Sequence, residues 1–243
     1  MIKINSIKKL NQFTLLGTIL IFILLVCFSL STWKMFQFRD RLHALLDNGR
    51  WEKSVFQNEM YDSDLIIFFG DSQIALWPMA PSFGSFPIVN KGVSGDWASK
   101  AVDRFSEDVL ALKPKLLIML IGTNDLGHGK SAEEIIRDIE IMLVKAVNKN
   151  IRVVLCSLLP VRGKYIVDHS LKDILKINNK LKSLSYEYDA DYVDFYSKLL
   201  DMDGAFNGEY TEDGLHLNKL GYIKISQIML PVLVNNAAQF MKY

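Results

Sequence analysis

The chain of 243 residues has only two cysteines, Cys27 and Cys156. Two thiols cannot build a disulfide framework, and these lie in segments of different character, so no pairing is expected. Histidine is also sparse. His43, His128, His169 and His216 are scattered, and no CxxC or HExxH spacing gathers metal-ligating residues. An excess of either charge is missing too, with 28 Lys+Arg against 27 Asp+Glu. The chain therefore has no electrostatic footprint for nucleic acid. Half of its residues are hydrophobic and 23% are charged, which excludes a disordered or fibrous protein.

The first 33 residues contain Lys3, Lys8 and Lys9 and no carboxylate. Charge is absent from Leu10 to Trp33, and residues 13–33 are apolar. At about 1.5 Å per helical residue, that run spans the roughly 30 Å of a bilayer core. It reads as a transmembrane anchor after a basic flank, residues 1–12. The flanking lysines favour a cytoplasmic N-terminus and an extracytoplasmic remainder, periplasmic in a bacterium. The alternative is a cleaved signal peptide, because Ser29 and Ser31 give a small-x-small pattern before Thr32. Against it, the run exceeds the roughly 7–15 residues of an ordinary signal core. Residues 34–60 place Leu42, Leu45 and Leu46 at helical spacing and read as a helical stalk.

Beyond residue 60 the pattern alternates. Leu65–Phe69, Leu116–Ile121, Ile151–Leu155 and Tyr192–Phe195 are short apolar runs, as expected of strands buried on both faces. Helical patterns lie over Ala98–Leu112, Ala132–Asn148, Leu171–Tyr188 and Leu217–Met241. Alternation of this kind predicts a three-layer α/β/α domain over residues 61–243, with a parallel sheet and a ligand crevice at the carboxyl ends of its strands.

Four short segments fall at that crevice. Ser72, in Gly-Asp-Ser-Gln, follows the first strand; it can present a nucleophilic hydroxyl there, although Asp-Ser before an apolar run is also an ordinary helix start. Asp213 and His216 are spaced so that a carboxylate can orient an imidazole, or else they are a capped turn with a surface histidine. Asn124, in Gly-Thr-Asn-Asp, can donate an amide to a developing oxyanion or simply shape a turn. Gly95 either makes a turn or offers a backbone N–H. Asp71, adjacent to Ser72, is expected to fix the loop by hydrogen bonds. Trp77 and Trp97 flank two of these segments and could line a substrate pocket or pack in the core. His128, His169 and His43 read as surface residues without a chemical role.

In this order, Gly70-Asp71-Ser72, Gly92-Val93-Ser94-Gly95-Asp96, Gly122-Thr123-Asn124-Asp125 and Asp213-Gly214-Leu215-His216 closely resemble the four blocks of the GDSL esterase/lipase family, the SGNH hydrolases. Gln73 departs from the leucine of the family name. The resemblance covers about residues 64–222. It implies a flavodoxin-like sheet of about five strands, with Ser72 as nucleophile, His216 as general base and Asp213 as its orienting acid. The Ser72 N–H, the Gly95 N–H and the Asn124 side chain would form the oxyanion hole, and no metal or organic cofactor would be needed. The activity expected is that of a membrane-anchored serine esterase acting on an acyl lipid or O-acetylated glycan. An acyltransferase using the same residues and a non-catalytic binding protein are the alternatives.

Overall fold

The computed structural model describes residues 64–240. The basic flank 1–12, the apolar segment 13–33, the stalk 34–60, Cys27 and His43 lie outside the described residues.

Five parallel strands are laid down in the order β2-β1-β3-β4-β5. They are β1 (Ile66–Gly70), β2 (Ile88–Gly92), β3 (Leu116–Leu120), β4 (Arg152–Cys156) and β5 (Asp191–Val193). Between them run helices α1 (Ser72–Ala75), α2 (Met79–Phe83), α3 (Ala98–Asp108), α4 (Thr123–Gly127), α5 (Ala132–Val147) and α6 (Leu171–Glu187), and α7 (Lys219–Phe240) closes the described chain. Every residue of β1 and β3 is buried. Successive side chains on a strand face opposite ways, so each apolar run feeds two cores. Ile67, Phe69, Leu117, Met119, Val153 and Leu155 pack with Phe105 of α3, Ile139 and Leu143 of α5, and Ile177 and Leu181 of α6. Ile66, Phe68, Leu116, Ile118, Val154 and Cys156 pack with Ile74 of α1, Phe83 of α2, and Met229 and Leu233 of α7. Burying one such Leu, Ile or Phe contributes about 1.5–3 kcal/mol. The three expected layers are therefore present. Among the described residues no helix is long and apolar enough to cross a membrane.

Strand β2 is absent from the apolar pattern of the sequence, for a physical reason. It lies at the edge of the sheet, is only half-buried and carries Asn90 and Lys91, so it needs no continuous apolar run. Helix starts follow the sequence more closely. Ser131 and Glu134 form a reciprocal capping box on α5, and the Ser170 hydroxyl accepts from Asp173 N at α6.

The strand ends determine where the crevice opens. Gly70 lies in register with Gly92 on one side and Leu120 on the other. A Cβ on Gly70 would stand 1.9 Å from the Leu120 carbonyl oxygen, and one on Gly92 would stand 2.2 Å from Ala75 N. No side chain fits at either position. The loops leaving β2, β1 and β3 therefore emerge side by side, carrying Gly95, Ser72 and Asn124. The direction of winding reverses between β1 and β3, which is the point where ligands settle in this topology.

Candidate active site

Ser72 opens α1. Asp71 caps the helix, taking an extended backbone and accepting from Gln73 N at 2.9 Å. The cap role thus belongs to Asp71, which leaves the Ser72 hydroxyl for other work. That hydroxyl lies 3.1 Å from His216 Nε2, and His216 Nδ1 lies 2.7 Å from Asp213 Oδ2. A carboxylate only accepts, so Nδ1 carries the proton and the Nε2 lone pair faces the serine.

The loop that presents His216 is closed on itself. An antiparallel bridge joins Thr211 to Leu217, and the Thr211 hydroxyl accepts from Gly214 N at 2.9 Å. Arg162 N donates to the Gly214 carbonyl at 2.8 Å, pinning the loop to the β4–α6 connection. Gly214 sits at φ +88°, and a Cβ there would lie 2.6 Å from the Arg162 carbonyl, so only glycine is accommodated. Asp213 Oδ1 accepts from Leu215 N and His216 N, both at 2.8 Å. Partial burial pushes the Asp213 carboxyl up, but hydrogen bonds from the His216 ring and from these two N–H groups outweigh it and hold it down at about 2. Asp213 remains a carboxylate at any neutral pH.

Asn124 lies in the first turn of α4. Its Nδ2 donates to the Asp96 carbonyl at 3.0 Å, which fixes the amide plane and leaves its second N–H to donate elsewhere. Gly95, the residue before Asp96, is exposed at φ +77° with open space around it. Glycine is needed there for backbone conformation, and among the described residues nothing accepts its N–H. Asp125 closes the arrangement from behind. Both of its carboxylate oxygens accept from Ala98 N, at 3.1 and 2.9 Å, which caps α3.

The structure thus brings Ser72, Asp213 and His216 into one chain of hydrogen bonds and ties Asn124 to the turn containing Gly95. The two tryptophans separate. Trp77 is 2% exposed, packs on Phe68, Phe83, Phe195 and Tyr222, and donates Nε1–H to the Ser226 hydroxyl at 2.9 Å. It is a core residue and cannot line a substrate pocket. Trp97 is half-buried, stacks on His128 with ring centroids 4.0 Å apart, and has the Lys100 ammonium 5.0 Å from its ring centre. His128 is exposed as expected, yet its Nδ1 is 2.7 Å from the Asn124 carbonyl, which places it beside the site. His169 is not a surface residue. It is 5% exposed and packs edge-on against Tyr165, because the β4–α6 loop folds it under α4, where it meets Gly127.

Two buried polar residues lie beside Ser72, and the sequence assigned neither of them a chemical role. Gln73 is 1% exposed, and its Nε2 donates to the Leu215 carbonyl at 2.8 Å. Asp71 is equally buried, and burial pushes its carboxyl up to about 7, with the Gln73 N–H pulling it down and Asp125 and Asp96 adding to the rise. The visible signal for Gln73 was its departure from an otherwise matching block. For Asp71 it was an aspartate set against an apolar strand.

Comparison with known proteins agrees with this geometry. Residues 68–223 match the GDSL-like lipase/acylhydrolase family. Human platelet-activating factor acetylhydrolase IB subunit alpha1 is 27% identical over 205 residues, covering 79% of this chain and 86% of its own. A GDSL-like lipase from Bacteroides thetaiotaomicron superposes with a TM-score of 0.66 at 22% identity, over 71% of this chain and 88% of its own. An acetylxylan esterase from Geobacillus stearothermophilus superposes at 0.58 with 17% identity, over 72% and 96%. The two structural likenesses speak to the fold. The family match spans most of the chain and includes Ser72 and His216, so this protein belongs to the GDSL-like lipase/acylhydrolase family and is a carboxylic ester hydrolase.

Proposed function

We propose that the protein is a membrane-anchored serine esterase that removes acyl groups from a lipid or an O-acetylated glycan through an acyl-serine intermediate. The observation that carries this reading is the hydrogen-bonded chain from Ser72 through His216 to Asp213, at 3.1 and 2.7 Å.

In this mechanism Ser72 Oγ attacks the ester carbonyl carbon while His216 Nε2 takes its proton. Asp213, held as a carboxylate, stabilises the imidazolium that results. Negative charge gathers on the former carbonyl oxygen, where the Ser72 N–H, the Gly95 N–H and the free N–H of the Asn124 amide receive it. The intermediate collapses, His216 returns the proton to the leaving alkoxide, and the alcohol departs. Water then attacks the acyl-serine with His216 again as base, releasing the acid and restoring Ser72.

Support for small acyl groups comes from the names of two relatives, an acetylhydrolase and an acetylxylan esterase. Support for the anchor and the extracytoplasmic placement is the lysine-flanked apolar segment 13–33. The stalk over residues 34–60 would link it to the catalytic domain. An ester panel of graded acyl length, with a fluorophosphonate probe alongside, tests the chemistry. Labelling of the wild type but not of Ser72→Ala, together with release of free acid, is the expected result. Absence of both would overturn the reading, and acyl transfer to an added glycan in place of acid release would make the protein a transferase. A reporter fused to the C-terminus should be active only outside the cytoplasm.

A further inference from the structure

We propose that Arg104 is the positioning residue of the oxyanion hole, a single guanidinium that holds the Ser72, Gly95 and Asn124 donors in register. The inference rests on the reading of those three groups as the oxyanion donors.

Arg104 projects from α3 and meets four acceptor groups. Its Nε donates to Asp96 Oδ2 at 2.8 Å, and Nη2 lies 2.7 Å from the same oxygen. Nη2 also donates to the Gly70 carbonyl at 3.0 Å. Nη1 donates to the Lys91 carbonyl at 3.0 Å and to Asp108 Oδ2 at 2.8 Å. The guanidinium carbon lies 4.1 Å from the centre of the Phe69 ring, which closes one face. Lys91 Nζ holds the other oxygen of Asp108 at 2.9 Å, so that carboxylate is fixed as well.

Three of these four acceptors lead to the donors of the hole. Gly70 ends β1, two residues before Ser72. Lys91 is the penultimate residue of β2, just before the Gly95 loop. Asp96 follows Gly95 directly, is 5% exposed, and through its own carbonyl holds the Asn124 amide at 3.0 Å. The ends of β1 and β2 and the two loops bearing Gly95 and Asn124 therefore share one rigid planar fork. Lysine offers one compact charge on a flexible stem and cannot satisfy divergent carbonyl and carboxylate acceptors in the same plane. An oxyanion hole works because its donors are already placed about 2.7–3.1 Å from where the charge will develop. Arg104 touches none of the reacting atoms, and its effect on rate passes through that placement.

A double-mutant cycle on the full-length chain tests this. Steady-state kinetics with p-nitrophenyl acetate would compare wild type, R104Q, N124A and the double variant, each with its thermal unfolding curve. N124A should lose about 10²- to 10³-fold in kcat, as for one oxyanion donor. R104Q should lose roughly 10- to 100-fold in kcat, the scale of a misplaced catalytic group, with KM changed by about twofold or less. In the N124A background the same change should cost only about threefold or less, because part of what Arg104 aligns is already gone. R104K should fall between wild type and R104Q, and it takes the place of R104Q in the cycle if that variant does not fold. Wild-type kcat in both Arg104 variants, or an equal fractional loss with and without Asn124, would overturn the positioning role while leaving the hole intact. Wild-type kcat in N124A would instead overturn the reading of the hole itself.

Discussion

The side-chain amide of Gln73 donates to the carbonyl of Leu215 at 2.8 Å, across 142 residues of chain. Gln73 follows the nucleophile and Leu215 precedes the histidine, so this one bond braces the two halves of the Ser72–His216 pair. The Tyr222 hydroxyl donates to the Gln73 carbonyl at 3.1 Å and adds a second strut from α7. Replacing Gln73 with leucine, the residue of the family name, leaves the Leu215 carbonyl buried without its donor. An unsatisfied buried acceptor costs about 1–3 kcal/mol. Gln73→Leu should therefore lower the unfolding free energy by that order and reduce kcat severalfold, read by denaturant titration and ester kinetics. No change in either would show that the brace is dispensable.

Ser72, His216 and Asp213 should divide the work unevenly. Ser72→Ala and His216→Ala each remove one half of a single proton-transfer unit, so each should abolish nearly all kcat. The double variant should be little worse than either. Asp213→Ala should be milder, because the pair of Ser72 and His216 survives and only its orientation and charge stabilisation are lost. Single-turnover measurements on a short ester check the set. A double variant whose loss equals the product of the single losses would mean that the two residues act independently.

The two tryptophans should respond oppositely. Trp77→Ala empties a site enclosed by four aromatic rings and should cost about 3–5 kcal/mol of stability. Trp97→Ala removes a half-buried ring stacked on His128 beside Asn124. Its stability cost should be about 1 kcal/mol or less, as for a partly exposed side chain. Its effect should appear in KM, because the ring stacks on His128 beside Asn124. Thermal unfolding and KM measured on both variants separate these outcomes, and an unchanged KM in Trp97→Ala would remove it from the substrate path.

The layers, four of the five strands and the long helices were legible because doubly buried strands must be apolar throughout and helices between them must show a 3.6-residue stripe. Strand β2 escaped because an edge strand can carry Asn90 and Lys91 at no cost. The four blocks located Ser72, Asn124 and His216, since those residues sit in short loops whose sequence is set by their chemistry. Arg104 was hidden for the opposite reason. It lies in the middle of an amphipathic helix, where Asp103, Arg104 and Asp108 look like a solvated charged face with an ordinary i,i+4 pair. Only the fold reveals that the same guanidinium turns inward to Gly70 and Asp96. His169 departs from its surface reading because burial in a loop leaves no periodic signal, and Trp77, which the sequence left open between pocket and core, is settled for the core by its burial beneath a short helix.

Asp71 makes the stability of this protein depend on pH in an unusual direction. Burial raises its carboxyl from an ordinary 3.8 to about 7, so between those values the folded chain binds a proton that the unfolded chain has released. Stability from this group is full below about 4, declines as pH rises toward 7, and is gone above it. Asp213 acts in a different window: its carboxyl is held down at about 2, so its contribution is present above 3.8 and fades only in stronger acid. The two do not overlap, which lets one substitution isolate Asp71. In Asp71→Asn the side-chain carbonyl can still accept from Gln73 N, and the second carboxylate oxygen, buried without a hydrogen-bond partner, is replaced by an amide. The variant should match the wild type near pH 5 and exceed its unfolding free energy by roughly 2 kcal/mol at pH 8, less than the full shift implies because a new amide must be buried. Urea titrations of both proteins at pH 5, 6.5 and 8 measure the difference. Parallel pH profiles would mean that Asp71 is ionised in the folded protein throughout and that its second oxygen is hydrated.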